Sequence, residues 1–184
     1  MKKDDRRVNK TKKAIQEGLA ELMLKKELRS ITVQELADKA DVHRATFYAH
    51  YADVYDLYSQ MEESAIAEIG VIIENGHYTH EEAFRAIVDY VQSNAEMCRL
   101  FLDKSLSKDF YEKISKFLEE KCLEHLDELL GAEVDDKWKY LTSYHIQGCL
   151  TIIERWTKQG FDLPKDDIIK MLIQVDMHFM NIDN

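Results

Sequence analysis

Within DVHRATFYAHY, residues 41–51, Arg44, Ala45, Thr46, Tyr48, Ala49 and His50 fall on the faces of a short helix that its apolar anchor, Phe47, leaves open. A guanidinium, two hydroxyls, an imidazole and small methyl surfaces at this spacing suit contact with an outside partner rather than bond-making, and duplex DNA is read by groups of these types. Other chemistry has thinner support. His77, His80 and Glu81 stand close in a turn, but no third strong ligand follows at a matching spacing, so no metal is expected. Cys98, Cys122 and Cys149 are odd in number and far apart, which argues against a disulfide framework and a zinc site and leaves buried thiols. There is no phosphate-cradling glycine-rich loop and no serine with a matching histidine and aspartate, so neither an enzyme nor a cofactor is expected.

The elements that position the Arg44 to His50 cluster are legible just upstream. Thr32 and Glu35 are three apart, the spacing of a capping box, and Ile31 and Leu36 sit where a hydrophobic staple belongs, so a helix begins at Val33. Ala37 is small where a second helix must cross closely. Asp41 falls where the backbone should turn left-handed, a conformation Asp tolerates better than most residues. Val42 is the expected buried residue of the turn. The result is a capped helix, a tight turn and a second short helix, the outline of a DNA-reading helix-turn-helix.

The pattern T-x-x-x-L-A-x-x-A-x-V-x-x-A-T-F-Y-x-H-Y-x-D resembles the DNA-binding domain of the tetracycline-repressor (TetR) family, over residues 10–57. The resemblance implies a homodimer of nine-to-ten-helix subunits that binds a double-stranded DNA operator through its amino-terminal domain. It also implies a carboxy-terminal domain that binds a small-molecule effector, here unknown, and dimerises. By matching position, Gln34 and Arg44 would face base edges and Ala45 a thymine methyl, while Thr32, Thr46, Tyr48 and His50 would touch phosphates. The sequence departs from the pattern at Asp41, usually Gly, at His43, usually a capping Ser, and at Val54, usually a phosphate-binding Lys.

An all-α chain is expected, with a three-helix helix-turn-helix domain at 1–55 and a helical effector-binding and dimerisation domain at 56–184. One proline and six glycines leave few helix breakers, and no period-two stretch suggests a strand. Apolar periodicity predicts helices at about 9–26, from Asp53 toward Gly76, from a Thr79/Glu82 capping box to Ser93, and over 97–103, 108–130, 135–159 and 166–180. The last two carry more apolar surface than one buried face needs, which suggests a four-helix dimer contact. GCLTIIERWTKQGFDLPKDDI, residues 148–168, also resembles the closing segment of many TetR-like proteins. Polar or soft groups embedded in apolar stretches nominate Met97, Cys98, Phe101, Tyr111, Tyr144, His145 and Cys149 for the effector.

The net charge is −10, yet residues 1–60 hold twelve Lys and Arg against ten Asp and Glu, and the first thirteen residues alone are near +5. A basic arm on an acidic body suits a protein that meets DNA with one end only. No apolar run approaches the ~20 residues of a membrane span, and the amino terminus lacks the apolar core of a signal peptide, so a cytoplasmic location away from membranes is expected. Two functional readings follow. One is a ligand-responsive regulator, by family habit a repressor, on a palindromic operator. The other is a protein-interaction adaptor or co-regulator that keeps the helix-turn-helix shape without strong DNA binding.

Overall fold

A computed structural model describes residues 3–74, 79–130 and 135–180. The described residues form an all-α fold of nine α-helices and one 3-10 turn: α1 (Lys3–Met23), the 3-10 turn (Leu28–Ser30), α2 (Val33–Lys39), α3 (Arg44–Tyr48), α4 (Val54–Ile73), α5 (His80–Ser93), α6 (Ala95–Phe101), α7 (Lys108–Leu130), α8 (Asp136–Lys158) and α9 (Lys165–Met180). None of these helices is long and apolar enough to cross a membrane. The chain divides into two compact units, Met1–Ala65 and Ile66–Asn184, with the division inside α4.

In the first unit Ile15, Leu19, Leu36, Phe47 and Leu57 are fully buried and hold α1 to α4 together. α1 starts six residues before the expected Asn9 and ends at Met23 rather than Lys26. Its early turns are rich in Lys and Arg, good helix formers that carry no apolar period to read. Close approach of α1 to α2 rests on Gly18, where an added Cβ would lie 3.2 Å from Leu36 Cδ1. Thr32 caps α2 as expected, its hydroxyl accepting from the Glu35 amide at 3.2 Å. The second half of the capping box is replaced, because the Glu35 carboxylate accepts instead from Lys26 Nζ, which also donates to the Ser30 carbonyl. Asp53 caps α4 by accepting the amides of Tyr55 and Asp56, both at 2.8 Å.

The second unit is built on Val88, Tyr111, Ile153, Trp156 and Leu172, contributed by α5, α7, α8 and α9. Thr79 and Glu82 form the full reciprocal capping box at the start of α5. That double contact holds the Glu82 carboxyl below its ordinary range, chiefly through the bond from the Thr79 amide. α6 begins at Ala95, two residues earlier than expected, because Asn94 closes α5 onto the Tyr90 carbonyl and opens α6 at once. Asp135 caps α8 through the Trp138 amide. Gln159 caps the carboxyl end of α8, and the chain then turns through Gly160 at φ +69° and Phe161 at φ +62°, whose ring stands edge-on to Trp156. Arg85 pairs with Asp166 and Lys165 with Asp89, which ties α5 to α9. The expected end of the fourth helix at Gly76 lies outside the described residues, as do His77 and the side chain of His80.

Candidate nucleic-acid interface and effector residues

The turn between α2 and α3 sets the direction of the cluster. Asp41 adopts φ +53°. The Val42 amide donates to the Ala37 carbonyl at 2.9 Å and the Asp41 amide to the Asp38 carbonyl at 3.3 Å. This pair of hydrogen bonds around a left-handed residue is the Schellman arrangement, usually built on glycine. Val42, expected to be buried, is half-buried. α3 is only five residues long, so its own hydrogen bonds are too few to hold it, and Phe47, with no exposed surface, is what seats it. His43 stands at its amino end without a side-chain cap bond.

Around that anchor, Arg44, Ala45 and Tyr48 are exposed, while Thr46 and His50 are half-buried. The Tyr48 ring stands edge-on to Phe47 at 5.5 Å, which fixes it while half of its surface stays open. The Arg44 guanidinium lies 5.9 Å from the centre of the same ring, at the outer limit of a cation–π contact. Gln34 is exposed on α2, and its amide donates to Asp38 Oδ1 at 2.8 Å, a bond it would have to exchange to reach a base edge. The Thr32 hydroxyl is engaged in capping. Val54 is buried at the start of α4, so nothing cationic stands there. Tyr55 beside it is 55% exposed and was not singled out from sequence. Its signal was available, since it falls off the Leu57, Met61, Ala65 stripe.

The seven effector candidates are spread over α6, α7 and α8. Cys98 and Tyr111 belong to the main core, with Cys149 packed against it. Phe101 is buried and stacks on Phe110 at 4.2 Å, and Met97 is half-buried. The Tyr111 hydroxyl donates to Gln147 Oε1 at 3.1 Å, beneath Lys104 Nζ at 4.2 Å from the ring. His145 is buried, stacked on Phe179 at 4.3 Å, with Nε2 3.5 Å from Asp176 and Nδ1 without a hydrogen-bond partner. Burial lowers the His145 pKa more than Asp176 raises it, so the neutral ring is the favoured form and this contact is not an ion pair at neutral pH. Tyr144, one residue away on α8, is not embedded: it is 76% exposed.

Burial pushes the Cys98 and Cys149 thiols up to about 12 and Cys122 to about 11, which suits inert packing groups rather than reactive thiolates. Tyr90, which sequence reasoning passed over, buries a hydroxyl with no hydrogen-bond partner, and its pKa is raised by that burial. A cleft of about 550 Å³ lies elsewhere, lined by Asp89, Gln92, Ser93, Ala95 and Phe161. No group of three or more metal-ligating side chains occurs among the described residues.

A short helix seated on a buried anchor and set by a tight turn against a capped α2 defines a helix-turn-helix protein. A family model described as a transcriptional regulator C-terminal region of TetR type matches residues 78–176, more than half of the chain. The chain therefore belongs to the TetR family of transcriptional regulators, which are not enzymes. It is 36% identical over 69 residues to the uncharacterized HTH-type transcriptional regulator YxbF of Bacillus subtilis (strain 168). That match covers 37% of this chain and 18% of YxbF, so it spans under a fifth of that relative.

Among solved structures, a TetR transcriptional regulator from Streptococcus agalactiae 2603V is 26% identical, with a TM-score of 0.58 over 94% of this chain and 97% of that one. A TetR-family regulator from Streptomyces coelicolor has a TM-score of 0.67 at 14% identity, over 94% of this chain and 83% of that one. The dihydroxyacetone kinase operon activator DhaS has a TM-score of 0.61 at 19% identity, covering 92% and 94%. The likenesses below 25% identity show the shared fold.

Proposed function

We propose that this regulator is a cytoplasmic, ligand-responsive repressor that binds a pseudo-palindromic duplex operator as a homodimer. The observation that carries this reading is the face of α3, where Arg44, Ala45 and Tyr48 are exposed around the buried Phe47. Arg44 and Gln34 read base edges and Ala45 meets a thymine methyl, while Thr32, Thr46, Tyr48 and His50 hold the phosphates. Dimerisation through α8 and α9 is supported by Tyr140 and Tyr144, 80% and 76% exposed one helical turn apart, and by Gly148, where an added Cβ would meet nothing within 4 Å. A glycine open to space beside exposed aromatics suits close approach of a second helix. Control by an effector is supported by the unpartnered polar atoms of Tyr90 and His145, buried donors or acceptors that a polar group on a ligand would satisfy. Candidates to line its site are Met97, Cys98, Phe101, Tyr111, Tyr144, His145 and Cys149.

The second reading, an adaptor that binds a protein rather than DNA, is supported by the uncapped α3 and by Val54 in place of a cation. Selection of bound sequences from a random duplex pool at two salt concentrations separates the two. Enrichment of an inverted repeat whose binding weakens with salt supports the operator reading. No enrichment at the lower salt, together with a stable protein partner, overturns it in favour of the adaptor.

A further inference from the structure

α1 does not stop where the domain core stops. Its inward contacts begin in earnest at Ile15, which is fully buried, whereas residues 6–10 are all exposed. Arg6, Lys10 and Lys13 are spaced four and three apart, so they line one face of this projecting stretch, and Arg7 flanks them. The opposite side of the same turns carries Val8 and leads into Ile15 and Leu19, toward the core. The basic stripe therefore points away from the body of the unit. Lys13 pairs across one turn with Glu17 at 3.7 Å, an exposed contact that competes weakly with any stronger anion.

The buried Ile15, Leu19 and Phe47 hold the base of this stripe and α3 in one packed unit. The buried Tyr51, which follows α3, hydrogen-bonds the side chain of Gln16 on α1. Gln16 thus lies beside the residue that follows α3, and Arg6 lies about 15 Å from Gln16 along the axis of α1 at the helical rise. A rod of this kind keeps its cations in fixed register, which a frayed tail would not. Lys and Arg on a solvent-facing stripe, next to a face of donors suited to a groove, are complementary to a polyphosphate backbone.

We infer that the Arg6, Lys10 and Lys13 stripe of α1 is a second DNA-backbone contact, seated on phosphates that flank the groove occupied by α3. The inference rests on the operator reading above and extends it: the duplex footprint is longer than α3 alone would cover, and a large share of the electrostatic attraction comes from a segment that reads no bases. Neither the amide end of α1 nor any residue of the helix-turn-helix is needed for it.

The test uses the full-length protein and two duplexes, one enriched from the random pool and one of random sequence. Arg6→Gln, Lys10→Gln and Lys13→Gln are combined, and Lys108→Gln with Lys116→Gln on α7 serves as a control that removes exposed charge elsewhere. The stripe variant should show a shallower dependence of log affinity on log salt, by about 0.9 for each phosphate no longer neutralised and about 5 for a dimer carrying two copies. Both duplexes should lose affinity by the same factor, with the preferred sequence unchanged. Hydroxyl-radical protection should retract at the outer edges of the footprint. The control should leave slope and footprint unaltered. Circular dichroism of the stripe variant should match that of the parent, since the three residues lie outside the core. A parent that binds the enriched duplex, with a stripe variant of unchanged slope and footprint, overturns this inference alone. A parent that binds neither duplex overturns the operator reading and this inference with it.

Discussion

Replacing Asp41 with glycine should stabilise the protein, because the α2–α3 turn holds a residue with a Cβ at φ +53°. The left-handed region costs an ordinary L-residue roughly 1–2 kcal/mol, and Asp recovers part of that through local hydrogen bonding. Glycine removes the steric cost but adds unfolded-state freedom worth about 0.5–1 kcal/mol. The net gain for Asp41→Gly is therefore about 0.5 kcal/mol, and Asp41→Ala should lose a similar amount. Asp41 is exposed, so no packing term complicates the comparison. Asp41→Asn removes the charge while keeping the tolerance of the left-handed region, and should be nearly neutral. Thermal unfolding at one fixed protein concentration would show the order Gly, then Asp and Asn together, then Ala. In a chain of this length each kcal/mol moves the midpoint by roughly 2–4 °C. An alanine variant as stable as the glycine variant would refute the claim that backbone conformation, rather than side-chain chemistry, governs this turn.

Arg44→Ala should relax base preference by roughly 1–3 kcal/mol at one position of the enriched site, whereas Tyr48→Phe should weaken specific and random duplexes equally; titration of both duplexes separates the two effects. Burial depresses the His145 pKa, so the folded protein resists a proton that the unfolded chain accepts. Stability should therefore fall as pH drops below the unfolded value of about 6.5 and toward the depressed folded one, and unfolding midpoints across that window should flatten in His145→Gln. Gly148→Trp should prevent close approach at α8 and leave a monomer, read as a halved mass by light scattering, with secondary structure intact. The three thiols should react slowly with a thiolate-selective reagent at neutral pH and rapidly after denaturation, because burial raises all three.

Element boundaries were most legible where a side chain announces them. Asp53, Asp135 and the Thr79/Glu82 pair sit where their caps form, and the left-handed conformation at Asp41 follows from residue type in its place after α2. Thr32 and Glu35 show the limit of such reasoning. The spacing permits a reciprocal box, but Lys26, nine residues upstream of Glu35, competes for the carboxylate once α1 and α2 pack. The start of α1 was illegible for a different reason, since a charge-dense helix projecting from a core has no apolar period. On α3, exposure could be anticipated because Phe47 alone supplies the anchor. Burial among the effector candidates was not legible, because Tyr144 and His145 are neighbours in sequence and face opposite environments. Spacing along a helix fixes which residues share a face; which face a neighbouring helix covers depends on distant residues such as Asp176 and Phe179.

The bare amino end of α3 gives the lineage carrying this chain a means of adjustment. A single change, His43→Ser or His43→Asp, would supply the missing cap, worth typically about 1 kcal/mol, at a residue that lies outside the core and is not a predicted base contact. Selection can therefore raise or lower the order of α3 without changing the side chains that its outer face presents. Diverging regulators of this design could drift in binding strength first and in target sequence later, along two nearly independent routes.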